Sequence, residues 1–174
     1  MGAGKSSVGR SLHRRTGLAL HDTDEIVTSK FGMSIPEIFA ERGEKKFREA
    51  ETEALRRVQT EEQTIIITGG GIVLRKENIE ILRHQAVIVW LDADEETLFA
   101  RASRKGNRPL LHTKNPRTTF SQILGARRPL YANIADIRVD TSVLTDEEVA
   151  VAIVAKLRRM NPNRNHPTRP KRHD

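Results

Sequence analysis

The first residues of the chain combine glycine, lysine and serine in a pattern that binds phosphate. The loop consists of Gly2, Ala3, Gly4, Lys5, Ser6 and Ser7. It matches the carboxyl half of a P-loop, in which backbone N–H groups at a helix amino terminus surround phosphates. Lys5 adds a positive charge, and the Ser6 hydroxyl is expected to coordinate a Mg²⁺ ion that bridges the β- and γ-phosphates of ATP. The plain alternative is a glycine-rich, flexible chain start.

Two aspartates stand two positions apart at the end of a predicted strand. The strand over 18–21 delivers Asp22 and Asp24 at its carboxyl end, where ligands bind in α/β proteins. Side chains two positions apart in an extended chain point the same way, so both carboxylates can serve one site. One would hold Mg²⁺ through water, and the other would accept a hydrogen bond from an attacking hydroxyl. Alternatively, an Asp-x-Asp sequence at a turn caps a helix.

Two arginines and a glycine triplet are candidates for binding an anionic ligand. Taken singly, Arg48 and Arg127 are typical of solvated helix residues, but a pair of arginines binds a carboxylate well. The β-branched run 64–68 predicts a strand buried on both faces. It opens directly into Gly69, Gly70 and Gly71, where the backbone is expected to approach a ligand closely.

The elements that position these residues alternate between short apolar strands and longer amphipathic helices. This alternation predicts an α/β fold with a parallel sheet covered by helices. Strands are expected over 18–21, 64–68, 86–91 and 137–140, and helices over about 5–15, 34–43, 44–60, 76–83, 94–104 and 118–135, with a last helix capped by Thr145.

Residues 105–117 lack helical or strand periodicity and are basic, which predicts a mobile lid over a polyanion. One domain is expected to span 1–157. Residues 158–174 carry a surplus of five positive charges among proline and asparagine, so they are expected to form a disordered tail. The net charge of +7 therefore leaves only about +2 on the domain.

Composition excludes several classes of protein. The 174 residues suit one domain, and no apolar run is long enough to span a membrane. The absence of cysteine excludes disulfides, thiolate zinc sites and thiol nucleophiles. Without an export signal, a cytoplasmic location is expected.

The P-loop pattern is incomplete at its amino side. A full P-loop has a further glycine three residues before Gly2, preceded by a buried central strand, and this sequence begins too late to contain either. We therefore expect the first methionine to be an internal residue of a longer protein. The sheet as written would then expose two unpaired strand edges and fold poorly.

These motifs together resemble shikimate kinase over nearly the whole chain, up to about residue 157. The matches follow the family's order: the phosphate loop at 2–7, Asp-Thr-Asp at 22–24, Phe-Arg-x-x-Glu at 47–51, Gly-Gly-Gly at 69–71, the lid motif Arg-Pro-Leu-Leu at 108–111 and Arg-x-Pro-Leu-Tyr at 127–131.

The resemblance implies a P-loop NTPase-like, three-layer α/β/α fold similar to nucleoside monophosphate kinases, with its first strand missing here. It implies transfer of the ATP γ-phosphoryl group to the 3-hydroxyl of shikimate, a step toward chorismate and the aromatic amino acids. ATP and shikimate would be the partners of a monomer that binds neither nucleic acid nor membrane.

The resemblance also implies a role for each matched residue. Asp24 would bind the shikimate hydroxyls and orient the nucleophile, while Asp22 and Ser6 would support Mg²⁺. Arg48 and Arg127 would bind the substrate carboxylate, and the backbone of Gly69, Gly70 and Gly71 would close the pocket on the substrate. Lys5 and Arg108 would stabilise charge on the transferring phosphoryl group, and Arg101 would pack near adenine.

Three other interpretations stay open at this stage. A gluconate kinase shares the phosphate loop and the fold class. A nucleotide-binding or polyanion-binding module without catalysis would explain the basic tail. An inactive fragment would explain the missing strand.

Overall fold

Helices and strands alternate along the chain as the sequence predicts. The structure is a computed structural model that describes residues 1–58, 63–104, 109–111 and 113–160. The strands are β1 (Ala19–Asp22), β2 (Thr64–Ile67), β3 (Val89–Asp92) and β4 (Ile137–Asp140). The helices are α1 (Lys5–Thr16), α2 (Thr23–Phe31), α3 (Ile35–Arg57), α4 (Lys76–Gln85), α5 (Glu95–Ser103), α6 (Pro116–Ile134) and α7 (Asp146–Met160), with 3₁₀ turns at Ile72–Leu74 and Pro109–Leu111.

The strands form two parallel pairs. β1 lies beside β2, with Ala19 opposite Thr64 and Asp22 opposite Ile67. β3 lies beside β4, with Val89 opposite Ile137. Within the described residues β2 and β3 are not paired with each other. The α/β class and the parallel strands are confirmed, and the break falls in the middle of the layer, between the two pairs.

Helices cover both faces of the strands. On one face, Val8 of α1 and Val149 of α7 pack with Val139 of β4 and with Val89. On the other face, Leu55 of α3, Leu82 of α4 and Ile134 of α6 pack with Ile66 of β2. Because neighbouring strand residues point to opposite faces, Ile66 lies on the second face while Ile67 meets α1. This is the three-layer arrangement.

Local chemistry explains where the helices begin and end. α1 begins after Gly4 and ends before Gly17, both with positive φ. Ser34 and Glu37 form the predicted capping box at the start of α3. Gly43 interrupts the helical geometry, with φ 77° and ψ 162°. The two helices predicted on either side of Gly43 are therefore confirmed as two helical segments that meet at a kink within α3.

The carboxyl-terminal helix is longer than expected. α7 continues through Arg158 and Arg159 to Met160, three residues beyond the predicted end of the domain at 157. Residues 161–174 lie outside the described part of the chain. None of the helices that the structure describes is both long and apolar enough to cross a membrane.

Candidate active site

The phosphate loop wraps the amino terminus of α1. Lys5 and Ser6 are the first two helical residues, so the backbone N–H groups of the first turn lack helical acceptors and can bind an anion. A Cβ at Gly2 would overlap the backbone carbonyl of Leu98, and Ala3 is buried among residues of α5 and α6. The loop is therefore fixed against α5.

Asp22 links the phosphate loop to the next element. Its Oδ2 accepts a hydrogen bond from Ser6 Oγ at 3.5 Å, and its Oδ1 accepts one from the Asp24 backbone N–H at 3.0 Å. The second bond makes Asp22 the N-cap of α2. Hydroxyl and carboxylate oxygens are the ligands that Mg²⁺ prefers, so Ser6 and Asp22 fit this ion.

The extended geometry expected from Asp22 to Asp24 is wrong. β1 ends at Asp22, and Asp24 lies in the first turn of α2. The capping alternative explains this, because an Asp22 side chain that accepts from the Asp24 backbone favours helix over strand at the next residues. Asp24 reaches the site from a helix amino terminus instead, a position that stabilises its negative charge.

The glycine triplet after β2 brings the substrate-binding candidates together. A Cβ at Gly69 would lie 2.5 Å from Glu51 Oε1 and 2.9 Å from Asp24 Oδ1. A Cβ at Gly71 would overlap the Arg48 guanidinium. Since each added methyl group would strike a polar side chain, these glycines allow the side chains to approach the backbone.

Gly70 contacts a second pair of side chains, both from α6. A Cβ at Gly70 would lie 3.3 Å from the Tyr131 hydroxyl and 3.9 Å from Arg127 Nη1. The Tyr131 hydroxyl donates a hydrogen bond to the Gly70 carbonyl oxygen at 2.5 Å. Burial raises the pKa of Tyr131, partly opposed by Arg127, so the phenol stays protonated and can donate. Arg127 is itself buried.

Arg48 is held by two carboxylates of its own helix. Its Nη1 donates to Glu51 Oε2 at 2.5 Å, and its Nη2 and Nε donate to Glu44 Oε1 at 2.9 and 3.1 Å. Burial opposes the charged form of Arg48, but the two acids outweigh this and raise its pKa. Burial also raises the pKa of Glu51, although Arg48 counteracts it. Arg48 is therefore charged and fixed in direction.

Arg101 and Arg108 belong to the predicted nucleotide side of the site. Arg101, on α5, donates to the Thr141 carbonyl oxygen at 2.9 Å and to the Ser142 carbonyl oxygen at 3.3 Å. The amino terminus of α7 also approaches the phosphate loop, because a Cβ at Gly4 would lie 3.3 Å from Oδ1 of Asp146, the first residue of that helix. Arg108 lies outside the described residues, together with 105–107 and 112 of the predicted lid.

Glu51 and Tyr131 were not predicted as site residues, although they are the last residues of the Phe-Arg-x-x-Glu and Arg-x-Pro-Leu-Tyr motifs. Their spacing carried a usable signal. Glu51 follows Arg48 by three positions and Tyr131 follows Arg127 by four, which places each pair on one face of a helix. A buried arginine on a helix needs a partner at such a position.

The predicted residues converge. Asp24, Arg48 and Arg127 meet around the glycine triplet, and Asp24 is joined to the phosphate loop through Asp22 and Ser6. Lys5 lines the same cavity as Gly69, Gly70 and Tyr131. A phosphate-binding cradle therefore stands beside a cationic pocket, with a carboxylate between the two.

Comparison with known proteins identifies the same family. The sequence model of the shikimate kinase family matches residues 1–158. The shikimate kinase of Thermodesulfovibrio yellowstonii is 40% identical over 161 residues, covering 92% of each chain. That of Symbiobacterium thermophilum is 42% identical over 159 residues, covering 90% of this chain and 91% of the relative.

Solved structures agree with the sequence comparison. Shikimate kinase from Acinetobacter baumannii in complex with shikimate superposes with a TM-score of 0.86 at 33% identity, covering 95% of this chain and 91% of that one. Shikimate kinase from Aquifex aeolicus gives a TM-score of 0.77 at 33% identity, covering 90% and 91%. With the family model matched along nearly its whole described length and these relatives covered almost end to end, this chain belongs to the shikimate kinase family.

Proposed function

We propose that this chain transfers the γ-phosphoryl group of ATP to the 3-hydroxyl of shikimate, giving shikimate 3-phosphate and ADP. The observation that carries this proposal is the convergence of Asp24, Arg48 and Arg127 on one glycine triplet next to the phosphate loop. Membership of the family supports the reaction itself, and this convergence supports the roles assigned to the individual residues.

Arg48 and Arg127 bind the carboxylate of shikimate. Both guanidinium groups lie against the triplet, one from α3 and one from α6, and both are largely screened from water. Arginine donates two parallel hydrogen bonds to a carboxylate, which fixes the orientation of a rigid ring as well as its position. Glu51 keeps Arg48 aimed at the pocket.

Asp24 lies at the same glycine triplet, beside Gly69, and accepts a hydrogen bond from the reacting hydroxyl. The hydroxyl oxygen then forms a bond to the γ-phosphorus while the bond from the γ-phosphorus to the β–γ bridging oxygen breaks; ADP leaves with that oxygen, and the hydroxyl proton passes to the Asp24 carboxylate. Phosphoryl transfer demands positioning and charge neutralisation more than covalent help from the protein. Asp24 therefore aligns the nucleophile.

Charge on the phosphates is met by the loop at the start of α1. The backbone N–H groups there and the Lys5 ammonium stabilise the negative charge of the β- and γ-phosphates. Ser6 and Asp22 would hold Mg²⁺, which would neutralise charge between the same two phosphates. Arg101 would pack near adenine, and Arg108 would add positive charge over the transferring group.

The enzyme is proposed to act as a cytoplasmic monomer without a nucleic-acid partner. The use of ATP supports a cytoplasmic location. The low net charge of the body of the chain argues against nucleic-acid binding by the domain.

The test is an ADP-release assay with shikimate and, in parallel, with gluconate, followed by identification of the product by ³¹P NMR. Shikimate alone should support turnover and yield the 3-phosphate. Turnover with gluconate but not shikimate would contradict the proposal, as would ADP release that is independent of either acid.

Arg108→Ala is the matched test of the lid side of the site. It should lower kcat far more than it raises the KM for shikimate, because its charge is needed on the phosphoryl group in the transition state. Arg104→Ala, at an exposed arginine four positions earlier in the sequence, is the control and should leave both constants unchanged.

A further inference from the structure

Tyr131 is the only tyrosine of the chain, and the proposed mechanism gives it no task. It lies on α6 four positions after Arg127, so the two side chains share one face of the helix. Its ring is half-buried against the apolar cluster that contains Leu82 and Ile134. The body of a buried tyrosine contributes apolar packing, while its hydroxyl needs a polar partner. The role of Tyr131 therefore depends on what its hydroxyl contacts.

The Tyr131 hydroxyl joins two parts of the candidate pocket. It donates a hydrogen bond to the Gly70 carbonyl oxygen at 2.5 Å. Arg127 lies beside the same hydroxyl, since a Cβ at Gly70 would be 3.3 Å from the phenol oxygen and 3.9 Å from Arg127 Nη1. Burial raises the pKa of this phenol, whereas the charge of Arg127 and a hydrogen bond from it act in the opposite direction. One oxygen atom therefore contacts both the glycine triplet and an arginine proposed to bind substrate.

The bond from Tyr131 fixes a peptide group inside the triplet. The Gly70 carbonyl and the Gly71 N–H belong to one planar, trans peptide group, so a carbonyl held toward Tyr131 directs that N–H away from it. The Ile72 N–H donates to the Gly69 carbonyl oxygen at 3.2 Å and closes the turn. Glycine has the greatest backbone freedom of any residue, so three in succession need outside contacts to keep one conformation. Tyr131 supplies such a contact.

The ring of Tyr131 is supported from β3. The ring centroids of Trp90 and Tyr131 are 6.0 Å apart, with an angle of 39° between the ring planes. The Arg138 guanidinium lies over Trp90, 4.8 Å from the ring centroid, and its Nη2 donates to Asp92 Oδ2 at 2.7 Å. Asp92 is itself buried. Because each member of this row is held by the next, the phenol has little freedom to turn away from Gly70.

We propose that Tyr131 is a positioning residue: its hydroxyl holds the glycine triplet and the Arg127 guanidinium in the arrangement that receives the substrate carboxylate. This role rests on the proposed function, in which Arg127 binds that carboxylate. A phenol suits the task because one oxygen on a rigid ring can donate and accept hydrogen bonds at the same time. The hydroxyl contacts neither the substrate nor the phosphates. Its loss should therefore weaken the binding of shikimate and leave the use of ATP unchanged.

The test is Tyr131→Phe, which removes the hydroxyl and keeps the ring beside Trp90. The Kd for shikimate, measured by isothermal titration calorimetry, and the KM for shikimate should both rise about 5–10-fold, the effect of one lost hydrogen bond. The kcat and the KM for ATP should change less than about twofold. The matched control is Thr64→Val, which removes a hydroxyl that donates to the Ala19 carbonyl oxygen at 2.9 Å, at the other end of β2. It should change none of these constants.

A double-mutant cycle separates positioning from general packing. If the hydroxyl acts through Arg127, its removal should matter less once Arg127→Lys has taken away the paired donors. The rise in Kd of the double variant should then be well below the product of the two single effects. A Kd equal to that product would contradict the proposal, and so would a loss in Tyr131→Phe that appears in kcat and leaves the KM for shikimate unchanged.

A measurement without substrate keeps this inference separate from the proposed function. In the unliganded full chain, Tyr131→Phe should speed amide hydrogen exchange at Ile72 by about 5–10-fold, because that N–H closes the turn that Tyr131 holds. Thr64→Val should leave this exchange unchanged. If the wild type neither binds nor phosphorylates shikimate while exchange still rises in Tyr131→Phe, the proposed function fails and the contact of Tyr131 with the triplet stands. Unchanged exchange, or an unchanged Kd in a chain that does phosphorylate shikimate, would overturn the inference.

Discussion

Glu51 does not touch the reacting groups, yet it holds one of the residues proposed to bind substrate. It is fully buried, its Oε2 accepts from Arg48, and its Oε1 has no hydrogen-bond partner among the described residues. Burial raises its pKa, and the nearby charge of Asp24 adds to that effect. A buried acid in this state costs stability when ionised but holds Arg48 in place.

The pKa of Glu51 predicts a pH dependence of stability. Because the folded state holds this proton more tightly than the unfolded chain, the contribution of Glu51 is complete below its ordinary value of 4.5 and is lost as the pH rises toward the folded value. The free energy of unfolding of the wild type minus that of Glu51→Gln should therefore fall as the pH rises from about 4.5. Urea titrations at several pH values measure it, and a rise would contradict the assignment.

Replacing Arg48 or Arg127 should weaken the binding of shikimate. Arg48→Lys and Arg127→Lys keep the charge but lose the paired donors, so each should raise the KM for shikimate roughly 10–100-fold with a smaller change in kcat. Arg56→Lys is the control, since Arg56 lies on the same helix but is exposed and paired with Glu77 away from the triplet. An unchanged KM in the Arg48 and Arg127 variants would remove them from the carboxylate site.

Variants of Asp24 and Asp22 should separate the effect on phosphoryl transfer from the effect on Mg²⁺ dependence. Asp24→Asn should lower kcat by roughly 10²–10⁴-fold at saturating Mg²⁺, because a neutral amide orients the hydroxyl poorly. Asp22→Asn should mainly raise the Mg²⁺ concentration needed for half-maximal rate. Steady-state kinetics over a Mg²⁺ series distinguish the two, and identical profiles would show that the two carboxylates do not have separate roles.

At the scale of elements, the phosphate loop is positioned by the close approach of α1 to β2. Gly9 of α1 faces Ile67, and a Cβ there would lie 2.5 Å from Ile67 Cδ1 and 2.8 Å from its Cγ1. Ile67 is itself buried, so it has little room to move. The absence of a side chain at Gly9 sets the distance between helix and strand, and with it the position of Lys5.

Gly9→Ala should therefore destabilise the protein by about 1–3 kcal/mol through overpacking. Ile67→Val, which removes the contacting methyl, should recover part of that loss when combined with it. Gly125→Ala is the matched control in α6: it is exposed, nothing lies within 4 Å of the added Cβ, and it should stabilise by about 0.5–1 kcal/mol. Urea midpoints measure all four proteins.

Sequence patterns located most of these elements because their signals are local. The β-branched run at β2 and the Ser34 capping box each depend on a few neighbouring residues, and both are confirmed. α2 was not predicted, because the same Asp-Thr-Asp motif suits a strand end and a helix cap, and only the backbone geometry at Asp22 decides between them. Unpaired strand edges were expected from the incomplete P-loop. The sequence could not show that these edges belong to β2 and β3.

The contacts of the site were less accessible to sequence. The motifs named Arg48, Arg127 and the triplet, but Gly70 meets Tyr131 across sixty-one positions of chain, and no local pattern encodes that distance. Tertiary packing determines which polar atoms meet. For this reason the motifs predicted which residues belong to the site, whereas the contacts of Glu51 and Tyr131 became known only from the structure.

For the whole molecule, the uneven charge has a consequence that can be measured. The site residues that the structure describes all precede α7, while the basic surplus lies at the end of the chain. Truncation after Met160 should leave kcat and the KM for shikimate unchanged. It should also abolish the salt-dependent retention of the full chain on heparin. Loss of kinase activity on truncation would show that the last residues serve the site.

Asp22 closes β1, caps α2 and accepts from Ser6, so one carboxylate performs three tasks. A selection for folded protein alone would discard most replacements here before their effect on turnover could be seen. Laboratory evolution that seeks a different metal ion in this enzyme is therefore freer at Ser6 than at position 22, where only residues that can also cap α2, such as asparagine, keep the start of that helix.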